Sequence, residues 1–206
     1  MRNARLLRLS KLRFAALGMV VSIAPSFAGD LVNTNVRNCT WCHGPSAQGY
    51  APAPRLAGQQ PLYIVRQLSS YRAHRRDNPF SKMYMWAAAA NVESESARYL
   101  ANYLASLAPR AANDGNPNLV ADGRAIYQEG APEANVAACV ACHGPRGQGI
   151  AEIPRLGGLS YAYLQDRLQQ WHDGYDAAAM HPMPHVAGNL SAEQIAALAS
   201  YLSFLQ

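Results

Sequence analysis

The sequence predicts an all-α fold made of two tandem halves that arose by internal duplication. The pentapeptide Cys39-Thr-Trp-Cys42-His43 recurs one hundred residues later as Cys139-Val-Ala-Cys142-His143. Around it, residues 39–56 and 139–156 are identical at 11 of 18 positions. After both segments, apolar residues recur at helical spacing, and no stretch shows the alternation that is typical of a strand. The repeat and the helical periodicity together carry this prediction.

The N-terminal segment, residues 1–28, has the pattern of a secretory signal peptide. Five basic residues precede a short apolar stretch at 14–23, and Ser26-Phe27-Ala28 is a small-x-small cleavage site. About ten apolar residues cannot cross a hydrocarbon core that needs ~20. We therefore expect cleavage after Ala28 and a periplasmic location. The mature chain is not expected to be an integral membrane protein, although it could associate with a membrane through a partner.

The repeated pentapeptide has the C-x-x-C-H form that attaches a c-type haem. Two thiols at this spacing add to the two vinyl groups of the porphyrin, and the adjacent histidine reaches one axial face of the iron. The alternatives are a redox-active dithiol and half of a zinc site. Both are disfavoured, because a redox dithiol needs no histidine after its second cysteine and would hardly occur twice with one. We predict two covalently bound haem c groups, attached at Cys39, Cys42, Cys139 and Cys142, with His43 and His143 as axial ligands.

The duplication sets the predicted domain boundaries. A first domain is expected at 29–108 and a second at 119–206, joined by a linker at 109–118 that is rich in Ala, Asn, Gly and Pro. Each half has only about 80 to 95 residues, which is small for an apolar core by itself. A haem would fill much of that interior.

A helix is predicted after the Pro-Arg-Leu segment of each half, at 54–56 and 154–156. Pro61 begins the first of these helices, Ser160 caps the second, and Gly174 can end it. Their apolar faces are formed by residues three or four positions apart: Ile64, Leu68 and Tyr71 in the first helix, and Tyr161, Leu164, Leu168 and Trp171 in the second.

A closing helix is predicted at the end of each half. In the second half, its start is marked by a capping box and a hydrophobic staple, formed by Ser191 with Gln194 and by Leu190 with Ile195. In the first half Glu93 occupies the place of the capping serine, so Ser94 is expected to cap instead. Pro109 should stop that helix after Leu107.

A second axial ligand is needed for each iron unless the position is open for chemistry. Methionine is favoured because a soft thioether stabilises ferrous iron and raises the reduction potential. Under an offset of 98, Met85 pairs with Met183, and each lies seven residues before the residue that precedes the closing helix. We therefore predict Met85 and Met183 as ligands. The other candidates are Met83, His74, Met180, His181 and His185, of which His181 or His185 could replace Met183; some methionines must simply fill the core.

Two further pairs are candidates because they recur in both halves. A ligating histidine needs an acceptor for its Nδ1 hydrogen, and the backbone carbonyls of Pro54 and Pro154 are expected to provide it. Arg55 and Arg155 could pair with haem propionates, since guanidinium recognises carboxylates in bidentate fashion. Either arginine could instead be a solvated surface residue.

Taken together, these duplicated motifs resemble the two-haem class I cytochromes c, most closely the cytochrome c4 family. The resemblance covers nearly all of residues 30–206. It implies two tandem class I cytochrome c domains related by a pseudo-twofold, with haem propionates near the domain interface. It also implies electron transfer to a respiratory terminal oxidase.

The first half departs from the family pattern at its beginning. In the second half, Gly123 and Tyr127 resemble the family's N-terminal helix, where glycine permits close crossing of the closing helix near Tyr201. Only residues 29–38 precede Cys39, and they contain no such glycine and aromatic pair. We therefore expect a short or irregular first helix in that half.

The charges divide unevenly between the two halves. Residues 29–110 hold 9 basic and 4 acidic residues, whereas residues 111–206 hold 4 basic and 9 acidic residues. The mature chain is therefore neutral before haem propionates are counted, and no nucleic-acid role is expected. The basic half could dock on an acidic redox partner, or the opposite charges could simply hold the two halves together.

Three classes of function fit these features. The first is an electron carrier between a quinol-oxidising complex and a terminal oxidase. The second is a haem-bearing subunit of a periplasmic dehydrogenase, for example a sulfide-oxidising flavocytochrome. The third is an enzyme such as a two-haem peroxidase or thiosulfate oxidoreductase. A methionine candidate for each iron, and no cysteine outside the two motifs, argue against the third class, so no catalytic residue is predicted.

Overall fold

The computed structural model describes residues 36–177 and 182–206, and in these ranges the regular structure is helical. Extended residues form only isolated bridges there, such as Tyr50 with Ala53 and Ile150 with Ile153. The helices are α1 (36–43), α2 (Pro61–Arg72), α3 (Trp86–Ala89), α4 (Ser94–Ser106), α5 (Val120–Glu129), α6 (Val140–His143), α7 (Tyr161–His172), α8 (Met183–Ala187) and α9 (Ala192–Phe204). Short 3₁₀ turns occupy Pro117–Leu119 and Pro132–Ala134, and a π-helical turn occupies Ser81–Met85.

Three of the predicted helix starts are confirmed. Helix α2 begins at Pro61. Helix α7 begins after Ser160, whose Oγ accepts a hydrogen bond from Tyr163 N at 3.4 Å. Helix α9 carries the full capping box, because Ser191 Oγ accepts from Gln194 N and Gln194 Oε1 accepts from Ser191 N. Local sequence therefore fixes where these helices begin.

The expected cap of α4 is wrong. Glu93, with extended backbone, is the residue before the helix, and Ser94 is already its first helical residue. No side chain caps this end, although Ala97 N donates to Glu93 O at 2.8 Å. The buried face of α4, which includes Leu100 and Leu104, fixes the start of the helix by packing rather than by a cap. The helix ends at Ser106, before Pro109.

The second domain has one continuous core, in which α5 crosses α9 closely. Thirteen of its described residues are buried in a single cluster. A Cβ added to Gly123 would lie 2.0 Å from the carbonyl oxygen of Ala197, so only glycine allows this approach. One turn later Tyr127 packs on Tyr201, with ring centroids 5.5 Å apart. The predicted role of Gly123 is confirmed.

The first domain has two smaller clusters among its described residues, with five and three buried members. On α4, Tyr99 and Tyr103 are 51% and 41% exposed, whereas their counterparts on α9, Ala197 and Tyr201, are 4% and 8% exposed. The segment that would correspond to α5 precedes residue 36. The expectation of a short first helix there lies outside the described residues, as does the signal peptide.

The connection between the domains is hydrogen-bonded to the second domain. Ala112 N donates to Gly158 O, and Asn113 N donates to Ser203 O, both at 3.1 Å. Asn116 N then donates to Ser200 Oγ at 3.1 Å. This segment therefore lies along α9 rather than acting as a free tether.

Candidate haem-binding sites

Each attachment motif lies on a short helix that ends at its histidine. In the first domain α1 carries Cys39, Cys42 and His43, and residues at i, i+3 and i+4 share one helical face. In the second domain Cys139 is the residue before α6, and His143 N donates to its carbonyl at 2.9 Å. All four thiols are free of disulfide bonds. Both motifs therefore present two thiols and an imidazole in one direction.

Both histidines are fixed by a backbone carbonyl eleven residues later. His43 Nδ1 donates to Pro54 O at 2.7 Å, and His143 Nδ1 donates to Pro154 O at 3.0 Å. Because a carbonyl oxygen only accepts, Nδ1 must carry the proton, which leaves the Nε2 lone pair available to a metal. Burial lowers the pKa of both imidazoles and outweighs the opposing effect of this hydrogen bond. Each is therefore held neutral in the tautomer that iron requires.

A repeated glycine turn brings each proline back to its histidine. Gly49 N donates to His43 O at 2.8 Å, and Gly149 N donates to His143 O at 2.9 Å. Both glycines have positive φ, of 75° and 65°. A Cβ on Gly49 would lie 2.4 Å from Arg55 N. The identities at 39–56 and 139–156 thus encode one closed loop around the histidine.

The candidates for the sixth ligand differ in exposure in the first domain. Met85 ends the π-helical turn and is half-buried, whereas Met83 is 66% exposed. His74 is exposed and stacks on Trp86, with ring centroids 3.9 Å apart. Trp86 is itself fixed, because its Nε1 donates to Arg76 O at 2.8 Å. Burial therefore favours Met85 over Met83 and His74.

In the second domain the same comparison favours Met183. Met183 begins α8 and packs against the core cluster, while His185 on the same helix is exposed. Met180 and His181 lie outside the described residues.

Arg55 and Arg155 make contacts across the domain boundary that the repeat did not indicate. Arg55 donates from Nη1 to Gly158 O at 2.8 Å and from Nη2 to Gly157 O at 2.7 Å. Arg155 donates from Nε to Gly58 O at 3.1 Å. Arg55 Nε is buried and has no hydrogen-bond partner in the described part of the chain. Arg55 therefore joins the domains and keeps one buried donor available.

Sequence reasoning missed two glutamines at this boundary. Gln59 Nε2 donates to Arg155 O at 3.0 Å, and Gln59 Oε1 accepts from Arg155 N at 2.7 Å. Gln60 Nε2 donates to Gln148 O at 2.9 Å. The second half has leucine and serine at the corresponding positions, so the repeat carried no signal for this role.

A second polar cluster at the boundary is centred on Asp176, which is 1% exposed. Its Oδ1 accepts from Asp77 N at 2.7 Å, and Asp77 Oδ1 accepts from Asp176 N at 2.8 Å. Arg167 pairs with its carboxylate, and Arg76 Nε lies 3.9 Å from Oδ2. Burial would raise the pKa of Asp176, but Arg167 and Arg76 outweigh it, so that this pKa is lowered. Asp176 is therefore ionised within the interface.

Comparison with known proteins places this geometry in a family. The model of the family described as cytochrome c matches residues 30–108 and again residues 120–206. The chain belongs to the cytochrome c family.

Several of the proteins to which it is similar are named cytochrome c4. A cytochrome c4 of Thiocapsa roseopersicina is 34% identical over 172 residues, which cover 81% of this chain and 86% of the relative. A protein of Stutzerimonas stutzeri named thiosulfate dehydrogenase electron acceptor is 36% identical over 170 residues, covering 80% and 77%. The solved structure of a cytochrome c4 from Acidithiobacillus ferrooxidans superposes with a TM-score of 0.75 and 32% identity, covering 82% of this chain and 99% of that one.

These matches confirm the predicted fold and cofactor. The protein has two tandem cytochrome c domains and carries two covalently bound haem c groups at its C-x-x-C-H motifs. Its residues fit this group, because each half presents two thiols from one helical segment, together with an imidazole whose Nε2 is free. The protein transfers electrons. Within the described residues, no helix combines the length and apolar character that a membrane span requires.

Proposed function

We propose that this cytochrome carries single electrons in the periplasm, from a quinol-oxidising complex or a dehydrogenase towards a terminal oxidase. The observation that carries the proposal is the duplicated site. In both halves a buried, neutral histidine is oriented by a proline carbonyl, and a half-buried methionine follows at the same distance before the closing helix. Two saturated irons in one chain suit relay of electrons rather than conversion of a substrate.

Each side chain has a distinct part in this proposal. Four cysteines hold the haems through thioether bonds: Cys39, Cys42, Cys139 and Cys142. The bound haem would supply an iron that alternates between the ferric and ferrous states. His43 and His143 give the Nε2 lone pair, while Met85 and Met183 give a thioether sulfur. The soft sulfur favours the ferrous state and closes the position that a substrate would need. Arg55 and Arg155 would balance propionate charge at the domain boundary.

The ligand assignment can be tested one haem at a time. We expect Met85→His to lower the potential of the first haem and Met183→His to lower that of the second, because imidazole favours ferric iron more than thioether does. A spectroelectrochemical titration would follow both potentials and the methionine–ferric charge-transfer band. Met83→His is the matched control, since Met83 is 66% exposed and should leave both potentials unchanged. Each ligand variant should lose the contribution of one haem to this band and keep that of the other; a band at full wild-type intensity in either variant would overturn that assignment.

The donor is best sought among small-molecule dehydrogenases. A relative that aligns with four-fifths of this chain is named as the electron acceptor of thiosulfate dehydrogenase. We therefore expect a catalytic amount of such an enzyme, supplied with its substrate, to reduce an excess of the purified cytochrome. If the two proteins exchange freely, the rate should saturate with cytochrome concentration and should change with salt. Co-purification in a fixed ratio would instead favour the second candidate, a permanent dehydrogenase subunit.

The periplasmic location and the signal peptide can be checked on one sample. Expression in a host that matures c-type cytochromes should give red periplasmic protein whose mature sequence begins after Ala28. The colour should remain with the protein during acid–acetone extraction, because thioether bonds hold the haem. Cytoplasmic accumulation with an intact N-terminus would contradict the location without affecting the haem assignment.

A further inference from the structure

The middle of the first attachment motif holds a tryptophan with an exposed ring. Trp41 is 87% exposed, and it lies between Cys39 and Cys42 on α1. A single exposed apolar residue needs no explanation, but several that lie together mark an interaction site. The second motif has Ala141 at the same place. The chemistry of attachment therefore does not require an aromatic residue here.

A second exposed apolar group precedes the methionine of the same domain. Phe80, Met83 and Tyr84 are 41%, 66% and 54% exposed. The rings of Phe80 and Tyr84 stack with centroids 6.5 Å apart. They belong to or adjoin the π-helical turn Ser81–Met85, and π-helical turns occur often at functional sites. Both segments that hold the first haem thus leave apolar side chains in solvent.

The first half carries an excess of basic residues, and its exposed acidic residues include Glu93 and Glu95 at the start of α4. Residues 36–92 contain a single acidic residue, Asp77, which is half-buried and accepts a hydrogen bond from Asp176 N at 2.8 Å. The exposed basic residues of this stretch include Arg37, Arg72 and Lys82. Exposed apolar groups on a half with net positive charge are complementary to a protein whose contact surface is apolar at its centre and acidic at its rim.

We propose that Trp41, with Phe80, Met83 and Tyr84, forms the surface on which an acidic redox protein docks to exchange electrons with the first haem. This inference rests on the proposed electron-carrier function and adds the site and the chemistry of the partner. One electron leaves the reduced partner, which is oxidised by one unit, and the ferric iron of the first haem becomes ferrous. No covalent bond forms or breaks in this step. Trp41 supplies a large, rigid contact within two residues of both thioether bonds, and tryptophan is enriched among the residues that dominate interface energies.

An anionic membrane surface could also attract aromatic and basic residues. A protein is favoured because Trp41, the most exposed aromatic residue in the described part of the chain, lies inside the attachment motif itself, where contact shortens the path to the iron.

The test compares Trp41→Ala with wild-type holoprotein in stopped-flow reduction. This variant gives the first motif the central alanine that the second motif already has, so haem attachment should be retained. The reductants are reduced flavodoxin, a small acidic flavoprotein, and hydroquinone, a small neutral molecule. We expect the second-order rate with flavodoxin to fall about tenfold and the rate with hydroquinone to stay unchanged. Lys82→Glu should lower the flavodoxin rate and weaken its dependence on salt.

The matched control is Ile150→Ala, which removes a 66% exposed side chain from the acidic domain and should leave both rates unchanged. The proposal is overturned if Trp41→Ala has no effect with flavodoxin, if both reductants slow equally, or if Ile150→Ala slows flavodoxin as much. It is also overturned if Trp41→Ala abolishes self-association in sedimentation, or binding to phosphatidylglycerol vesicles, while flavodoxin reduction is unchanged. Failure of wild-type protein to accept electrons from hydroquinone would instead refute the electron-carrier function.

Discussion

The two halves share one attachment chemistry but support it with different packing. In the second half α5 crosses α9, and thirteen buried residues form one cluster around them. In the first half the described residues form clusters of five and three, and α4 leaves Tyr99 and Tyr103 exposed. The closed loop from His43 to Pro54 is nevertheless repeated from His143 to Pro154. Haem attachment therefore needs only a short segment, and the rest of a domain can diverge around it.

From this difference among the described residues, we expect the first domain to depend more on its haem for stability. A small domain buries less of its surface, and a bound group can supply the missing apolar contacts. The charges differ as well, with 9 basic and 4 acidic residues in 29–110 against 4 and 9 in 111–206. The two halves thus share the attachment motif and its histidine hydrogen bond and differ in charge, and we expect them to differ in stability.

Removing the thiols of either motif should have the largest effect. We expect Cys39→Ser with Cys42→Ser to reduce the haem content from two to one and to cost most of the helical signal of the first domain. Cys139→Ser with Cys142→Ser should remove the other haem with a smaller loss of helix, because the second core is larger. Pyridine haemochrome assays and far-ultraviolet circular dichroism would measure both. Equal losses of helix would show that the cores do not differ in this way.

The paired tyrosines of α4 and α9 test the same difference without touching the haem. Tyr201→Ala should lower the free energy of unfolding by about 3–5 kcal/mol, because Tyr201 is 8% exposed and packs on Tyr127. Tyr103→Ala should cost less than about 1 kcal/mol, since Tyr103 is 41% exposed. Urea denaturation of the holoprotein measures both. A similar loss for the two variants would mean that another segment covers Tyr103.

Loss of the buried carboxylate of Asp176, at the domain boundary, should lower the free energy of unfolding by a similar amount. Asp176→Asn is expected to destabilise the protein by about 3–5 kcal/mol, because it leaves Arg167 buried without its counter-charge. Asp173→Asn, at an exposed position directly after α7 in the same turn, should change stability by less than about 0.5 kcal/mol. Equal effects of the two substitutions would show that the buried pair does not stabilise the interface.

The pH dependence of Asp176 follows from the sign of its shift. Its pKa is lowered in the folded protein, relative to about 3.9 in an unfolded chain. Its stabilising contribution is therefore complete above that unfolded value and is lost as the pH falls through the lowered folded value. The stability difference between wild type and Asp176→Asn should be constant at neutral pH and should shrink below about pH 4. A difference that grew on acidification would contradict the lowered pKa.

A smaller effect is expected at the crossing of α5 and α9, which has no described counterpart in the first half. Gly123→Ala should cost about 1–3 kcal/mol, because the added Cβ would meet the carbonyl of Ala197. Ala121→Ser on the exposed face of the same helix is the control and should stay within about 0.5 kcal/mol. A neutral Gly123→Ala variant would mean that the helices can separate without loss.

Much of the site and of the helical framework could be predicted from local sequence. The C-x-x-C-H motifs, the glycine turn and the proline that follows are all contained within eighteen consecutive residues, so their spacing alone fixes which groups can meet. The starts of α2, α7 and α9 were predictable because a cap or a proline acts on the nearest backbone groups. Where the deciding interaction was not local the prediction was wrong, as at Glu93 and Ser94.

Only the tertiary structure revealed what joins the two halves. Arg55 and Asp176 gave no local sign that their partners lie about a hundred residues away, at Gly157 and Asp77. The repeat aligns Tyr103 with Tyr201, and so it could not predict that Tyr103 is exposed while Tyr201 is buried. The sequence determined the thiols and the histidine that attach each haem, because covalent spacing limits them to one short loop. The fold decided the interface and the exposed surface because burial depends on which distant segment packs against each side chain.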